Sequence, residues 1–383
     1  MKSLIKPILI SLRNTVLLIL ILEMILSVVF NYNDKRRYDK NVEFKISSGA
    51  YQNVDPLIVK EIYDELYYLD TEWESYVHFK LREKSTKHNT IDKKGHRKTI
   101  NLNLKTPSNP LKIFCLGGST MYSTGARDSL SIPSQLSKLL YEKFPQRNIE
   151  ITNLGCHGYN RSVENIQLQK ELLANNIPDM VIFYDGVNEV ISGYLNNKAG
   201  LPTNAKLNKE ESKVRFNYVR KIKLLLNTSY TSRFIKYLQN KIFKQKTFTP
   251  DLSNQLSEDI ANNYIRNLQI TNALSMQYNF KVFNFLQPNI YSHKTLSEHE
   301  KIMAKKNEYY KRLYINSYDL ILENDLIKKD STFHNISNAF NKNTETIYTD
   351  FCHIAEKGNT IISKNIFKFI QSYFEKNIET IDN

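Results

Sequence analysis

Four short strand-like segments, KIFCL, IEITNLG, DMVIFYDG and KVFNFLQP, the second and third each a strand with its turn, recur between residues 112 and 288, and a segment of helical period separates each from the next. Strands that alternate with helices imply a mostly parallel sheet covered on both faces. SLSIPSQLSKLLYEKF, SVENIQLQKELLANN and DIANNYIRNLQITNALSMQYN supply the intervening helices, with Pro133 near the start of the first, where a missing N–H is tolerated. Residues 298–326 read as largely helical, and NTIISKNIFKFIQSYF as a closing helix. Upstream, residues 53–84 read as a helix followed by an extended segment, and residues 85–110 as a loop or peripheral hairpin. With 41% hydrophobic and 24% charged residues the chain affords a core and is not disordered. Its three cysteines, Cys115, Cys156 and Cys352, have neither CxxC spacing nor an even count, which argues against a disulfide framework or a cysteine-rich zinc site.

Before this pattern stands ILISLRNTVLLILILEMILSVVF, 23 residues from Ile8 to Phe30, about 35 Å if helical and enough for a bilayer core. Arg13 is near enough to one end to snorkel, but Glu23 is deep in the run and costly there unless neutral, paired or displaced toward an interface. No small-residue cleavage site follows, so an uncleaved anchor in membrane lipid is expected. Lys2, Lys6 and Arg13 compete with Lys35, Arg36, Arg37 and Lys40 on the other flank, and charge counting does not settle orientation.

Lys and Arg number 53 against 39 Asp and Glu, a net +14. The excess is concentrated: residues 206–246 hold twelve Lys or Arg against Glu210 and Glu211, or +10. Such a segment suits an anionic glycan or lipid headgroup, or is simply a solvated basic face. No zinc finger, RNP-like strand or helix-turn-helix accompanies the charge, so nucleic acid is not an expected partner.

Four polar blocks follow apolar elements. In FCLGGST, Gly117 and Gly118 allow a tight turn that exposes Ser119 at the carboxyl edge of the sheet, although a structural Ser fits the same turn. NLGCHGYN contains Gly155, whose N–H is free to approach a reacting oxygen, and His157, which reads more readily as a turn residue than as a chemical group. FYDGVNEV offers the Asn188 amide as a donor to developing negative charge, with Asp185 and Glu189 as loop holders or helix caps. YTDFCHIAEKGN puts Asp350 and His353 three positions apart, on one face if a helical turn begins there. The carboxylate would orient the imidazole, and the imidazole would take a proton from Ser119. The eight His form no evident ligand cluster, so neither a metal nor a cofactor is expected.

In this order the four blocks resemble the SGNH branch of the GDSL hydrolases: Ser after one strand, Gly after the second, Asn after the third, and Asp-x-x-His near the C-terminus. The resemblance covers residues 111–372. The usual Gly-Asp-Ser is here Gly117-Gly118-Ser119, similar to a GGS variant of membrane-associated bacterial envelope glycan esterases and acyltransferases, and the usual Gly-x-Asn-Asp is Gly186-Val187-Asn188-Glu189. The resemblance implies a three-layer α/β/α fold with a flavodoxin-like parallel sheet. It also implies a Ser119, His353, Asp350 triad working through an acyl-enzyme, and an oxyanion hole from the Ser119 and Gly155 N–H groups and the Asn188 side chain. The expected organisation is an anchor at 8–30, a linker and peripheral segment at 31–110, and a hydrolase-like domain at 111–372 carrying a basic helical insertion at 191–250. Three functions remain open: an esterase on an O-acyl, chiefly O-acetyl, group of a cell-envelope glycan or glycolipid; an acyltransferase to a glycan hydroxyl; and a noncatalytic tethered glycan-binding or assembly protein. The expected location is a bacterial membrane, with one span and the large domain outside the cytoplasm.

Overall fold

The computed structural model describes residues 2–105, 109–206, 228–242, 250–292, 295–305 and 308–376. The chain divides into two units, Met1–Phe44 with Lys206–Phe248, and Lys45–Ala205 with Thr249–Asn383.

The larger unit is a mixed α/β fold. Two antiparallel hairpins come first, β1 (Thr71–Glu74) with β2 (His78–Leu81) and β3 (Lys84–Ser85) with β4 (Thr90–Ile91). The main sheet follows: β5 (Leu111–Gly117), β6 (Ile149–Asn153), β7 (Met180–Asp185), β8 (Lys281–Leu286) and β9 (Phe333–Asn335), all parallel, in the spatial order β6-β5-β7-β8-β9. The chain starts in the interior, steps to one edge, then returns to build outward on the other side. Such a reversal opens a crevice at the carboxyl ends of the strands flanking the switch. The four strands read from the sequence are all present. β9 has only three residues, too few to show a period.

Phe114, Leu116, Val181, Phe183 and Val282 pack on one face against Leu168 and Leu172 of α5 (Arg161–Leu173) and Leu274 and Tyr278 of α8 (Pro250–Tyr278). The other face is covered by α4 (Ile132–Lys143) and α12 (Glu356–Lys376), which meet through Phe144 and Phe374 at 5.5 Å between ring centroids, while Phe285 of β8 lies 5.8 Å from Phe369. Helix starts follow local chemistry: Ser131 accepts the Ser134 N–H ahead of α4, with Pro133 in its first turn, and Asn160 accepts the Val163 N–H ahead of α5.

Residues 191–205, read from sequence as the start of the insertion, fold with this unit. α6 (Val187–Asn196) extends into them as far as Asn196 and buries Val190, Ser192 and Gly193, with Val190 in the cluster that includes Leu256 and Ile260 of α8. The peripheral segment before residue 110 is also more deeply engaged than its polarity suggests, since Arg97 is 2% exposed.

In the smaller unit α1 (Lys2–Ile46) is one helix that continues well past Phe30, its last two residues belonging to the larger unit. From Ile5 it is long and apolar enough to cross a bilayer, and Leu18 and Met24 are 66% and 72% exposed. Glu23 has a partner: its carboxylate accepts the Tyr230 and Thr231 N–H groups and the Thr231 hydroxyl at 2.5, 2.9 and 2.7 Å, capping α7 (Tyr230–Ile242). Residues 207–227 and 243–249 of the basic insertion lie outside the described residues.

Candidate active site

The carboxyl ends of three neighbouring strands set the site. Register pairs Cys115 with Asn153 and Gly117 with Tyr184, so Ser119, Gly155 and Asn188, each two or three residues beyond its strand, emerge at one edge. Ser119 opens the short helix α3 (Ser119–Tyr122), where its N–H has no intrahelical acceptor. Two glycines make the approach of the loops feasible. A Cβ on Gly118 would lie 2.0 Å from Asn188 Nδ2, and one on Gly155 would lie 2.4 Å from Tyr122 N. Gly118 is the position at which this chain departs from Gly-Asp-Ser, and any side chain there collides with the Asn188 amide.

Asp350 and His353 arrive from the far end of the sequence, and not on a helical face. Asp350 Oδ1 accepts the Cys352 and His353 N–H groups at 3.0 and 2.8 Å, an Asx-type turn, and the Thr349 N–H donates to the His353 carbonyl at 2.8 Å. α12 begins only at Glu356. The turn aims Asp350 Oδ2 at His353 Nδ1, 2.7 Å away, and His353 Nε2 at Ser119 Oγ, also 2.7 Å away. Carboxylate, imidazole and hydroxyl therefore form one hydrogen-bonded line.

A fourth group joins the line. Lys45, in the last turn of α1, is 8% exposed, with Nζ 3.9 Å from Asp350 Oδ2 and 4.5 Å from the Tyr63 ring centroid. Burial alone would lower its pKa, but Tyr63 and Asp350 outweigh burial and hold it above the usual lysine value. Burial would likewise raise Asp350, but His353, Lys45 and the Cys352 N–H hold the carboxyl well below the usual range.

Of the three donors expected from the sequence to meet an oxyanion, two are engaged elsewhere. The Gly155 N–H donates to Asn153 Oδ1 at 3.0 Å, and Asn188 Nδ2 donates to the Tyr159 carbonyl at 2.5 Å. His157 does not touch the triad. Its Nε2 lies 2.7 Å from Thr124 Oγ1, and because that hydroxyl donates to the Ser119 carbonyl at 3.0 Å, the imidazole must be the donor. Burial, with the charge of His353, pushes the His157 pKa down to about 3, so it braces the Ser119 turn as a neutral ring.

Deeper supports had no local signal. Arg97 donates to the Tyr122 and Ser123 carbonyls at 2.7 and 2.8 Å and to Asp128 at 2.9 Å, fixing the turn that follows Ser119. Arg161, 0% exposed, donates to Asp185 and Asn284 at 2.7 and 2.6 Å and sits 3.4 Å from the Phe183 ring centroid. Glu189 accepts the Gly186 and Arg161 N–H groups at 2.8 and 2.5 Å, so it holds the Asn188 loop, and Asp185 is likewise committed to Arg161 and Tyr264. Tyr122, Tyr159 and Tyr184, beside these loops, are at most 2% exposed and so offer no open ring face to a sugar. Gln287 accepts the Thr120 hydroxyl at 3.2 Å and so shapes the same sheet edge.

Asp350, Cys352 and His353 offer three ligand-type atoms within 4.8 Å of one another. The 2.7 Å between Asp350 Oδ2 and His353 Nδ1 is a direct hydrogen bond with no room for an ion between them, and burial keeps the Cys352 thiol protonated.

No protein-family model matches the chain, and no curated protein matches it. Solved structures similar to it include Axe2, an acetylxylan esterase from Geobacillus stearothermophilus, at 14% identity and TM-score 0.36, covering 71% of this chain and 96% of that one. An acetyl xylan esterase, AlAXEase, has 14% identity and TM-score 0.39, covering 67% and 98%. The lipase Lip_vut3 from a goat rumen metagenome has 11% identity and TM-score 0.39, covering 68% and 97%.

Proposed function

We propose that this chain is a serine ester hydrolase of SGNH type that removes O-acyl groups, chiefly acetyl, from a glycan or glycolipid of the cell envelope. The observation that carries the reading is the unbroken line from Asp350 through His353 to Ser119, 2.7 Å at each step. His353 Nε2 takes the Ser119 proton as Oγ attacks the ester carbonyl carbon. The negative oxygen is met by the Ser119 N–H, and by Gly155 and Asn188 as they turn from Asn153 and Tyr159. Collapse expels the alcohol, which takes the proton from His353 and leaves an acyl-Ser119. Water, deprotonated by the same imidazole, then attacks the acyl carbon and releases the acid, and the departing Ser119 Oγ takes its proton back from His353.

The glycan or glycolipid substrate is supported by an apolar helix and a basic segment in the same chain, which suit an anionic, membrane-proximal surface. Intact-protein mass after exposure to a fluorophosphonate tests the chemistry: one adduct on the wild type and none on Ser119→Ala is expected. Folded wild type without an adduct would sink the hydrolase reading and favour a tethered binder. Acetate release from an O-acetylated glycan, compared with p-nitrophenyl acetate, tests the substrate.

A further inference from the structure

The smaller unit holds a cavity of about 640 Å³ between α1 and α7, within the size range of small-ligand sites. Its composition changes along its length. Leu26, Val29, Phe30 and Phe234 give it an apolar wall, and the part of α1 before Phe30 is exposed apolar surface, with Val28 at 63%. One to three turns further on, Arg36, Arg37 and Lys40 line the other end.

The frame is built by specific contacts. Glu23 caps α7, Tyr230 stacks on Phe30 at 6.3 Å, and Arg233 makes two 2.7 Å bonds to Asp34 while its guanidinium lies 4.4 Å from the Phe30 ring centroid. The bidentate pair neutralises Arg233 and Asp34. Net of that pair, the lining carries three further cations, Arg36, Arg37 and Lys40.

An apolar slot opening toward a bilayer-length helix, closed by three cations where the helix turns polar, has the charge and polarity sequence of a lipid: hydrocarbon first, phosphate next. We infer that this groove binds one anionic phospholipid, with an acyl chain along Leu26, Val29, Phe30 and Phe234 and the phosphate at Arg36, Arg37 and Lys40. The inference does not depend on the ester chemistry, because none of these residues belongs to the catalytic unit. Its consequence is functional: α7 is held at the membrane surface by a lipid whose headgroup charge the chain recognises.

The test is native mass spectrometry of the full-length protein released from detergent. Palmitoyl-oleoyl phosphatidylglycerol is titrated against phosphatidylcholine of the same chains, and glycerol 3-phosphate serves as a headgroup without hydrocarbon. The wild type is expected to retain phosphatidylglycerol about tenfold more tightly than phosphatidylcholine, from three cations near one phosphate. R36Q/R37Q/K40Q should lose that preference. K138Q/K143Q/K368Q, which removes three exposed lysines from α4 and α12, should keep it. Phe234→Ser should weaken retention of both lipids. The groove variants are exposed side chains and leave Glu23, Asp34 and Arg233 in place, so helicity by circular dichroism should match the wild type. Equal retention of the two lipids, a preference that survives in R36Q/R37Q/K40Q, or binding of glycerol 3-phosphate as tight as that of phosphatidylglycerol would each overturn the proposal.

Discussion

At the scale of single residues, Gly118 and Lys45 have sharp consequences. Gly118→Ala places a Cβ on the Asn188 amide nitrogen, 2.0 Å away in the ideal geometry, so Asn188 must swing out of the site. With the triad intact, kcat should fall about 100- to 1,000-fold, the loss typical of one oxyanion donor, while the fluorophosphonate adduct still forms on Ser119. Lys45→Met removes the buried cation beside Asp350. A carboxylate whose folded pKa is depressed contributes stability above its ordinary value, about 3.9, and loses it as pH falls through the folded value. With less depression in Lys45→Met, acid unfolding should begin at higher pH than in the wild type, and kcat should fall about tenfold as the Asp350 carboxylate loses its anchor. Lys45→Arg, which keeps the charge, should restore most of both. Acid titration followed by circular dichroism, together with steady-state kinetics, reads this out, and an unchanged acid midpoint in Lys45→Met would remove Lys45 from the account.

At the scale of elements, the buried polar cluster between α5, α6 and β7 governs how the scaffold responds to pH. Glu164 of α5 is wholly buried, and burial together with Asp185 and Glu189 pushes its pKa well above the usual value; burial and Asp185 raise Glu189 to about 7. An acid with a raised folded pKa stabilises fully below its unfolded value and loses that contribution as pH rises toward the folded one. The wild-type Tm should therefore decline between pH 5 and pH 8. Glu164→Gln, a permanent stand-in for the protonated acid, should match the wild type near pH 5 and exceed its stability by a margin that widens with pH, at most about 1.4 kcal/mol per pH unit for one proton. Parallel Tm curves for the two proteins would show that Glu164 is not the group responsible. Arg161 is the fixed cation of the same cluster, and Arg161→Met should cost about 3–5 kcal/mol by stranding Asp185, read as a lowered urea midpoint.

At the scale of the whole molecule, α1 is long and apolar enough to cross a bilayer, and the proposed envelope substrate predicts the side on which the larger unit lies. Outside the cytoplasm, the larger unit should be digested by protease added to whole spheroplasts and protected in inverted vesicles. The reverse pattern would move its substrate to the cytoplasm.

Much of this was legible in the chain itself. Apolar segments alternating with helical ones pointed to a covered parallel sheet, because parallel neighbours need a crossover and the crossover helices cover its faces. The small residues Gly117, Gly118 and Gly155, and the polar Ser119 and Asn188, each at or within three residues of a strand's carboxyl end, had to lie at one sheet edge, since parallel strands end on the same side. Tertiary structure alone decided the rest. That Asp350 and His353 meet through an Asx turn depends on backbone N–H groups that sequence spacing does not report. Lys45 and Arg97 are two cations among 53, and only the path of the chain brings one to the Asp350 carboxylate and the other to the carbonyls behind Ser119. Glu23 looked prohibitive within its apolar run until a helix start more than 200 residues away supplied its hydrogen bonds. Periodicity records which faces must be buried, whereas the pairing of a buried charge is a long-range contact that leaves no local pattern.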